Sequence, residues 1–311
     1  MRDYVEVIHS PQLPWQPAPA VFAGAHWKRL SHDPDSGACT ALLRWPPGRA
    51  ALPQALSADW EYFVLRGELR IGAQPPSGMH YYAYLPAGLP LGGLDVGAAA
   101  MGAPAAAGGS PPGTGEAILL CFFSRAPQSR VAGHREVGRE DARVTRGDPA
   151  PFDASRLIGP VDTTALRWDS SGIDPNINHL NAARKNLRFA PEGDCRSYLL
   201  GGMPQGFPYE GASMERHPHG EEFFVVSGDM ACHVGILRAG AYFNRPADIA
   251  HGRDCTRTGY LLFCRTPGSN RTVTAWTDGK FPVLWNPPHQ PVLPPEFALA
   301  GARPVVDPLE Y

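Results

Sequence analysis

Between residues 215 and 228 the chain reads ERHPHGEEFFVVSG. Two histidines and three glutamates fall in the first eight positions, ahead of an apolar run broken by glycine. Imidazole and carboxylate are the donors that together suit divalent first-row metals. The spacing is His217-x3-Glu221-x6-Gly228, and downstream come Gly240, Pro246 and His251. A strand beginning at Glu221 places Glu221, Phe223 and Val225 on one face, and Glu222, Phe224 and Val226 on the other. Ligands on neighbouring antiparallel strands, with a third imidazole from a later strand, converge inside a small barrel. Burying such a group with no cation among them is costly. The candidate metal ligands are therefore Glu215, His217, His219, Glu221 and His251. Phe223 is expected to wall the site. Arg216, Arg245 and Arg253 flank the ligands and are candidates to anchor an anionic substrate; Arg253 is the one assigned to that role. Tyr242, Phe243 and Phe263 lie on nearby strands with their facing open.

Such a group has to be held by strands, and the chain is rich in them. EYFVLRG, YYAYL, AILLCFF, RSYLLGG, EEFFVVSG and GYLLFCR are short, β-rich and bounded by Gly or Pro. Gly and Pro number 34 each, which favours turns over long helices, and helical periodicity is scarce. The strands also come twice. KRLSHDPDSGACTALLRWPPG from Lys28 is echoed by KNLRFAPEGDCRSYLLGGMPQG from Lys185. EYFVLRGEL is echoed by EFFVVSGDM, and AILLCFFSRAP by GYLLFCRTP, in the same order. Two β-barrels are expected, residues 1–150 and 151–311, with the break in the polar, Pro-rich stretch near 145–165. An Ala/Gly/Pro-rich insertion from Gly93 to Gly115 reads as a surface loop. The Pro-rich tail, with Phe297, Leu299 and Val305, is expected to pack in extended form rather than as regular structure.

Composition narrows the rest. A net charge of −2 with no long basic run speaks against nucleic acid or an anionic membrane as partner. No stretch of eighteen apolar residues is present, and the N-terminus has no signal-peptide core. Six scattered cysteines without a CxxC pair fit buried thiols in a reducing cytoplasm. No nucleotide cofactor is indicated.

The pattern in HPHGEEFFVVSGDM…LRAGAYFNRPADIAHG resembles the two motifs of the cupin superfamily, most of all the ChrR-type cupin of an anti-sigma factor. The resemblance implies an all-β chain of two tandem cupin (jelly-roll) barrels, a bicupin, with one divalent metal in the second. Two registers are open. Read as a His-x-His pair, His217 and His219 stand only one residue before Glu221, short of the family's spacing. Anchored on Glu221 and Gly228, the set becomes Glu215, His217, Glu221 and His251, with His219 in the connecting loop. Aligned with the second copy, the first has Gln54, Leu56 and Trp60 at the Glu215, His217 and Glu221 positions, and Ala99 opposite His251. Its barrel is expected to be metal-free and structural, with Trp60 filling the lumen.

What the resemblance implies for activity is a metal-dependent oxygenase of the dioxygenase type acting on a small molecule. Fe(II) is the favoured ion; Zn(II), Mn(II), Ni(II) or Cu(II) remain open, and with Zn or Mn isomerase, lyase or decarboxylase chemistry would follow. The alternative is a non-catalytic sensing module of ChrR type. The helical zinc domain that precedes the cupin in that anti-sigma factor has no match here. A homodimer is compatible with the fold.

Overall fold

The computed structural model describes residues 2–97, 115–130, 153–190, 195–205 and 211–305. Residues 98–114 of the insertion, Ala99 among them, and the stretch around residue 145 lie outside the described residues, whereas the insertion's first residues, Gly93–Val96, form a strand with Leu94 and Val96 buried and not a surface loop. Contacts divide the chain into two units, Trp15–Ala165 with one, Arg2–Pro14 and Leu166–Tyr311 with the other. Among the described residues the only α-helix is Pro295–Ala298, so no helix is long and apolar enough to cross a membrane. All six cysteines are buried and none forms a disulfide.

The first unit is built on an antiparallel sheet in the order Ile158–Asp162, Tyr81–Leu85, Trp60–Arg66, Ala117–Phe123, Cys39–Trp45, His26–His32 and Gln16–Pro17. In the second unit the order is Val5–His9, Ala241–Arg245, Glu221–Cys232, Tyr260–Arg265, Arg196–Gly202 and Ala183–Phe189. Position by position these are the same sheet, as the sequence echoes require. Each is completed by short strands: Gly48–Ala51, Leu69–Ile71 and Gly93–Val96 in the first unit, and Met214–Arg216, His251–Gly252 and Ala275–Trp276 in the second.

Alternation decides which side chains enter each lumen. Trp60, Tyr62 and Val64 join Leu119, Cys121 and Phe123 in one core, while their neighbours Glu61 and Phe63 face the other way. In the second unit Phe223, Val225, Tyr198, Leu200, Phe243, Leu262 and Cys264 form the equivalent core. Gly67 and Gly228 follow a register shift in their strands and sit at φ +74° and +79°. A Cβ at either would come within 2.0 Å of a carbonyl oxygen on the next strand, Glu116 or Gly259. Only glycine fits such a bulge.

The outer faces match as well. Tyr82 donates to Glu61 at 2.7 Å, and Tyr242 donates to Glu222 at 2.6 Å. Glu222 faces away from the lumen as alternation predicts, yet it is buried, because Arg2 and Arg265 cover it.

The strands preceding each repeat were not foreseen. Val5–His9 pairs with Ala241–Arg245 in the second unit, and Ile158–Asp162 pairs with Tyr81–Leu85 in the first. Each sheet thus takes an edge strand from the segment ahead of the other repeat. A cut at residue 150 therefore does not describe the contacts, since Arg2–Pro14 belongs with the second unit. The tail also departs from a purely extended form: Pro295–Ala298 makes a helical turn, Phe297 and Val305 are buried, and Leu299 is fully exposed.

The first lumen is filled by rings. Trp60 has no exposed surface and packs against Phe22, Trp45, Tyr62 and Phe123 at centroid distances of 5.6, 6.4, 5.6 and 6.1 Å. Leu56 is buried in the same core. Among the described residues the first unit alone assembles no group of three potential metal ligands.

Candidate metal centre

Three elements deliver the second unit's polar cluster. Glu215 and His217 come from the strand Met214–Arg216 and the residue after it, Glu221 opens the long strand Glu221–Cys232, and His251 opens His251–Gly252. Glu215 pairs across the ladder with His251, which brings the two side chains to one spot. Ligand atoms of Glu215, His217 and His251 all lie within 4.8 Å of one another. Glu221 sits between the imidazoles: its two oxygens are 3.2 Å from His217 Nε2 and 3.0 Å from His251 Nε2. Glu215 is 3.8 and 3.6 Å from the same two nitrogens.

The far side of each imidazole is pinned. His217 Nδ1 donates to the Val273 carbonyl at 2.9 Å, and His251 Nδ1 to the Ile249 carbonyl at 2.9 Å. That fixes the tautomer and aims both Nε2 atoms into the cluster, the arrangement typical of metal-binding histidines. Both Nε2 atoms are buried and neither has a hydrogen bond of good geometry. Bare, they would oppose carboxylate oxygens lone pair to lone pair, so a cation or added protons must occupy the gap.

The electrostatics say the same. Burial works against a charged His217, but the adjacent carboxylates of Glu221 and Glu215 outweigh it and raise the imidazole to about 9. Burial pushes the Glu215 carboxyl up to about 7; His251 and His217 pull against this and Glu221 adds to it. At Glu221 burial is overcome by the adjacent His251 and His217 imidazoles, which hold the carboxyl well below its usual range. Without a metal the cluster collects protons, and a divalent ion would displace them.

His219 stands apart. Its ring stacks on His217 at 5.2 Å, but its Nδ1 is bonded to the Gly220 carbonyl and its Nε2 accepts from the Val273 N–H at 3.2 Å. Both nitrogens are engaged by backbone groups, so His219 is set apart from the group formed by Glu215, His217 and His251. No spacing in the sequence reports that Val273 supplies this bond.

Two residues behind the cluster, Glu6 and Asp254, had no signal of their own. Arg245, a candidate anion anchor in the sequence, is buried against protein carboxylates instead; its Nη1 donates to Glu221 at 2.9 Å and its Nε donates to Glu6 at 2.7 Å. Glu6 has no exposed surface, and Arg245 keeps its carboxyl below the normal range despite burial. Asp254 walls the chamber beside the ligands, and burial pushes it up to about 6. Arg216 is exposed. Arg253 lines neither the chamber nor the cavity outside it; its guanidinium lies 6.0 Å from the Phe281 ring. Phe223 does line the chamber and packs on Phe243 at 4.7 Å, while Tyr242 and Phe263 face away from the lumen.

Comparison with known proteins adds a family match and a fold. A profile described as the ChrR Cupin-like domain matches residues 4–88 and 205–268. No curated protein sequence matches the chain. Among solved structures, a candidate dioxygenase of Nostoc punctiforme is similar at 18% identity, over 90% of this chain and 92% of that one, with a TM-score of 0.65. The protein Ylba of E. coli is similar at 13% identity, over 87% and 93%, with a TM-score of 0.53. At such identities the likeness is one of fold. The chain is all-β, with two tandem barrels of the cupin type.

Proposed function

We propose that the second barrel of this protein is a metal-dependent catalytic centre of the oxygenase type. It would hold one divalent ion, with Fe(II) favoured, through Glu215, His217, Glu221 and His251. The observation that carries this reading is the pair of buried imidazoles, each locked through Nδ1 to a backbone carbonyl and each turning an unsatisfied Nε2 toward two carboxylates. Two imidazoles with carboxylate oxygens are a donor set that suits Fe(II) and leaves coordination positions open, and Fe(II) so held supplies oxygen activation.

The protein's own contribution is positioning and exclusion of water. Arg245 fixes Glu221 in place. Phe223, Tyr198, Leu200 and Leu262 make the chamber wall apolar. Asp254 and Glu215, both pushed toward neutrality by burial, are placed to hold a proton near neutral pH. The first barrel, its lumen closed by Trp60, takes a structural role. The fold likeness to a candidate dioxygenase agrees with this reading as analogy only.

Elemental analysis of protein purified without tags or chelators tests the metal. About one transition-metal ion per chain is expected for a closed site, and less than about 0.2 refutes it. Anaerobic loading with Fe(II), followed by oxygen uptake with diketone, catechol and thiol substrates, tests the reaction. Metal binding with no turnover across that set would favour a sensing module.

A further inference from the structure

The chamber beside the ligands has about 50 Å³ of free space, little more than one or two waters occupy. A substrate can present only its reacting end there. Outside it lies a larger cavity of about 440 Å³, and the two share Asp174, Arg184, Thr272 and Thr274 as walls. The body of any substrate must lie in this outer cavity, so its lining sets the substrate class.

That lining carries three arginines, Arg184, Arg196 and Arg271, with Phe189 and Ile173. Arg184 stands opposite Leu200 in the ladder, and Arg196 and Tyr198 alternate on the same strand face. Both guanidiniums therefore come off the lumen side. They lie over the Tyr198 ring at 5.4 and 4.8 Å, and Arg196 also lies over Phe189 at 5.1 Å. Their polar contacts are modest: Arg184 Nη1 donates to the Gly172 carbonyl at 3.2 Å and Arg196 Nη2 donates to Asn186. The Nε of each is buried with no hydrogen-bond partner. Among the described residues neither forms an ion pair within 4.0 Å. The one carboxylate on the wall, Asp174, is already held by Trp276 Nε1 at 2.9 Å and by the Asn176 N–H at 2.8 Å. Asp169, which does not line the cavity, accepts from the Ser171 N–H at 2.8 Å and lies near enough to Arg184 and Arg196 to attract both without forming an ion pair. Two stacked, part-buried guanidiniums with spare donors are a site for a planar oxyanion.

We infer that the substrate is a small carboxylate, its carboxylate held by Arg184 and Arg196 in the outer cavity and its opposite end reaching the chamber lined by Glu215, His217 and Glu221. This rests on the metal-centre reading for its orientation, but the anion site stands on its own residues. A carboxylate fits better than a bulkier phosphate because the fork of each guanidinium matches two coplanar oxygens.

The test is binding to the full-length, metal-loaded protein by calorimetry. A panel of aliphatic, aromatic and 2-oxo carboxylates is measured, each beside its methyl ester. Several carboxylates should bind at least about tenfold more tightly than their esters. Arg184→Gln and Arg196→Gln should each abolish most of that preference with metal content unchanged, and Arg196→Lys should restore part of it. Melting temperatures identify any variant that fails to fold; for that position the Lys variant decides. The inference is overturned if no carboxylate outbinds its ester, or if both Gln variants keep the preference. A carboxylate preference in protein that binds no metal would refute the metal centre and leave the anion site standing.

Discussion

At the scale of single residues, the metal cluster separates histidines that the sequence shows side by side. His217 and His219 differ by what holds their far nitrogens. His217 has one nitrogen tied to Val273 and one turned inward, whereas His219 has both committed to backbone. His217→Ala and His251→Ala should therefore lower bound metal to below about a tenth of wild type, by the usual cost of losing a ligand or its support. His219→Ala should leave the metal in place, and Glu215→Ala should weaken it. Metal content after dialysis against a mild chelator reads all four, and loss in the His219 variant alone would restore the other register. The facing of these side chains was legible because it follows the strand period: Glu221 and Phe223 face in and Glu222 faces out on parity alone. The role of His219 was not legible, because it is set by a backbone N–H fifty-four residues away.

The strand Val5–His9 shows how one element can serve a site to which it contributes no ligand. Its Glu6 holds Arg245, and Arg245 holds Glu221. Glu6→Gln keeps the shape and removes the charge. It should weaken metal binding about tenfold, in line with other groups behind metal ligands, and lower stability by up to about 3–5 kcal/mol. A competition titration and a urea melt check the two; unchanged values in both would break the relay. The same strand carries a pH dependence. His9 is buried, accepts from the Arg238 N–H at 3.3 Å, and is lowered to about 4 by burial and by the nearby charges of His289 and Arg238. Between about pH 4 and 6.5 the unfolded chain binds a proton here that the folded chain does not, so stability rises with pH across that window. It is fully present above pH 6.5, at most about 3 kcal/mol, and is lost as the pH falls toward 4. Denaturation at pH 5 and 7.5 should show a steeper loss in wild type than in His9→Gln; equal slopes would refute it. Nothing in VEVIH marks it as the edge of a sheet whose next strand begins at residue 241, since strand pairing at that separation leaves no local pattern.

For the whole molecule, two sheets of one strand order have been given different interiors. The repeat was readable because the turns, bulge glycines and outer Glu–Tyr pairs had to persist wherever the sheet did. Its pairing partners were less so: the edge strands lie outside the echoed segments and are assigned by contacts alone. If the first interior serves only as packing, Trp60→Ala should cost about 3–5 kcal/mol of stability, as for other large buried rings. Metal per chain should not change, and a loss of metal in that variant would argue against a purely structural first barrel. The crossing of the edge strands also bears on how the protein is made. Val5–His9 leaves the ribosome well before its partner Ala241–Arg245, which follows roughly 240 residues later, about 12–50 s at ordinary elongation rates. Throughout that interval an apolar strand waits with an open edge, and the second barrel cannot close around Arg245 until it arrives. The support of Glu221 through Arg245 is thus completed late in synthesis, and chains that begin after residue 14 should meet chaperones with Arg245 and Glu221 still lacking Glu6.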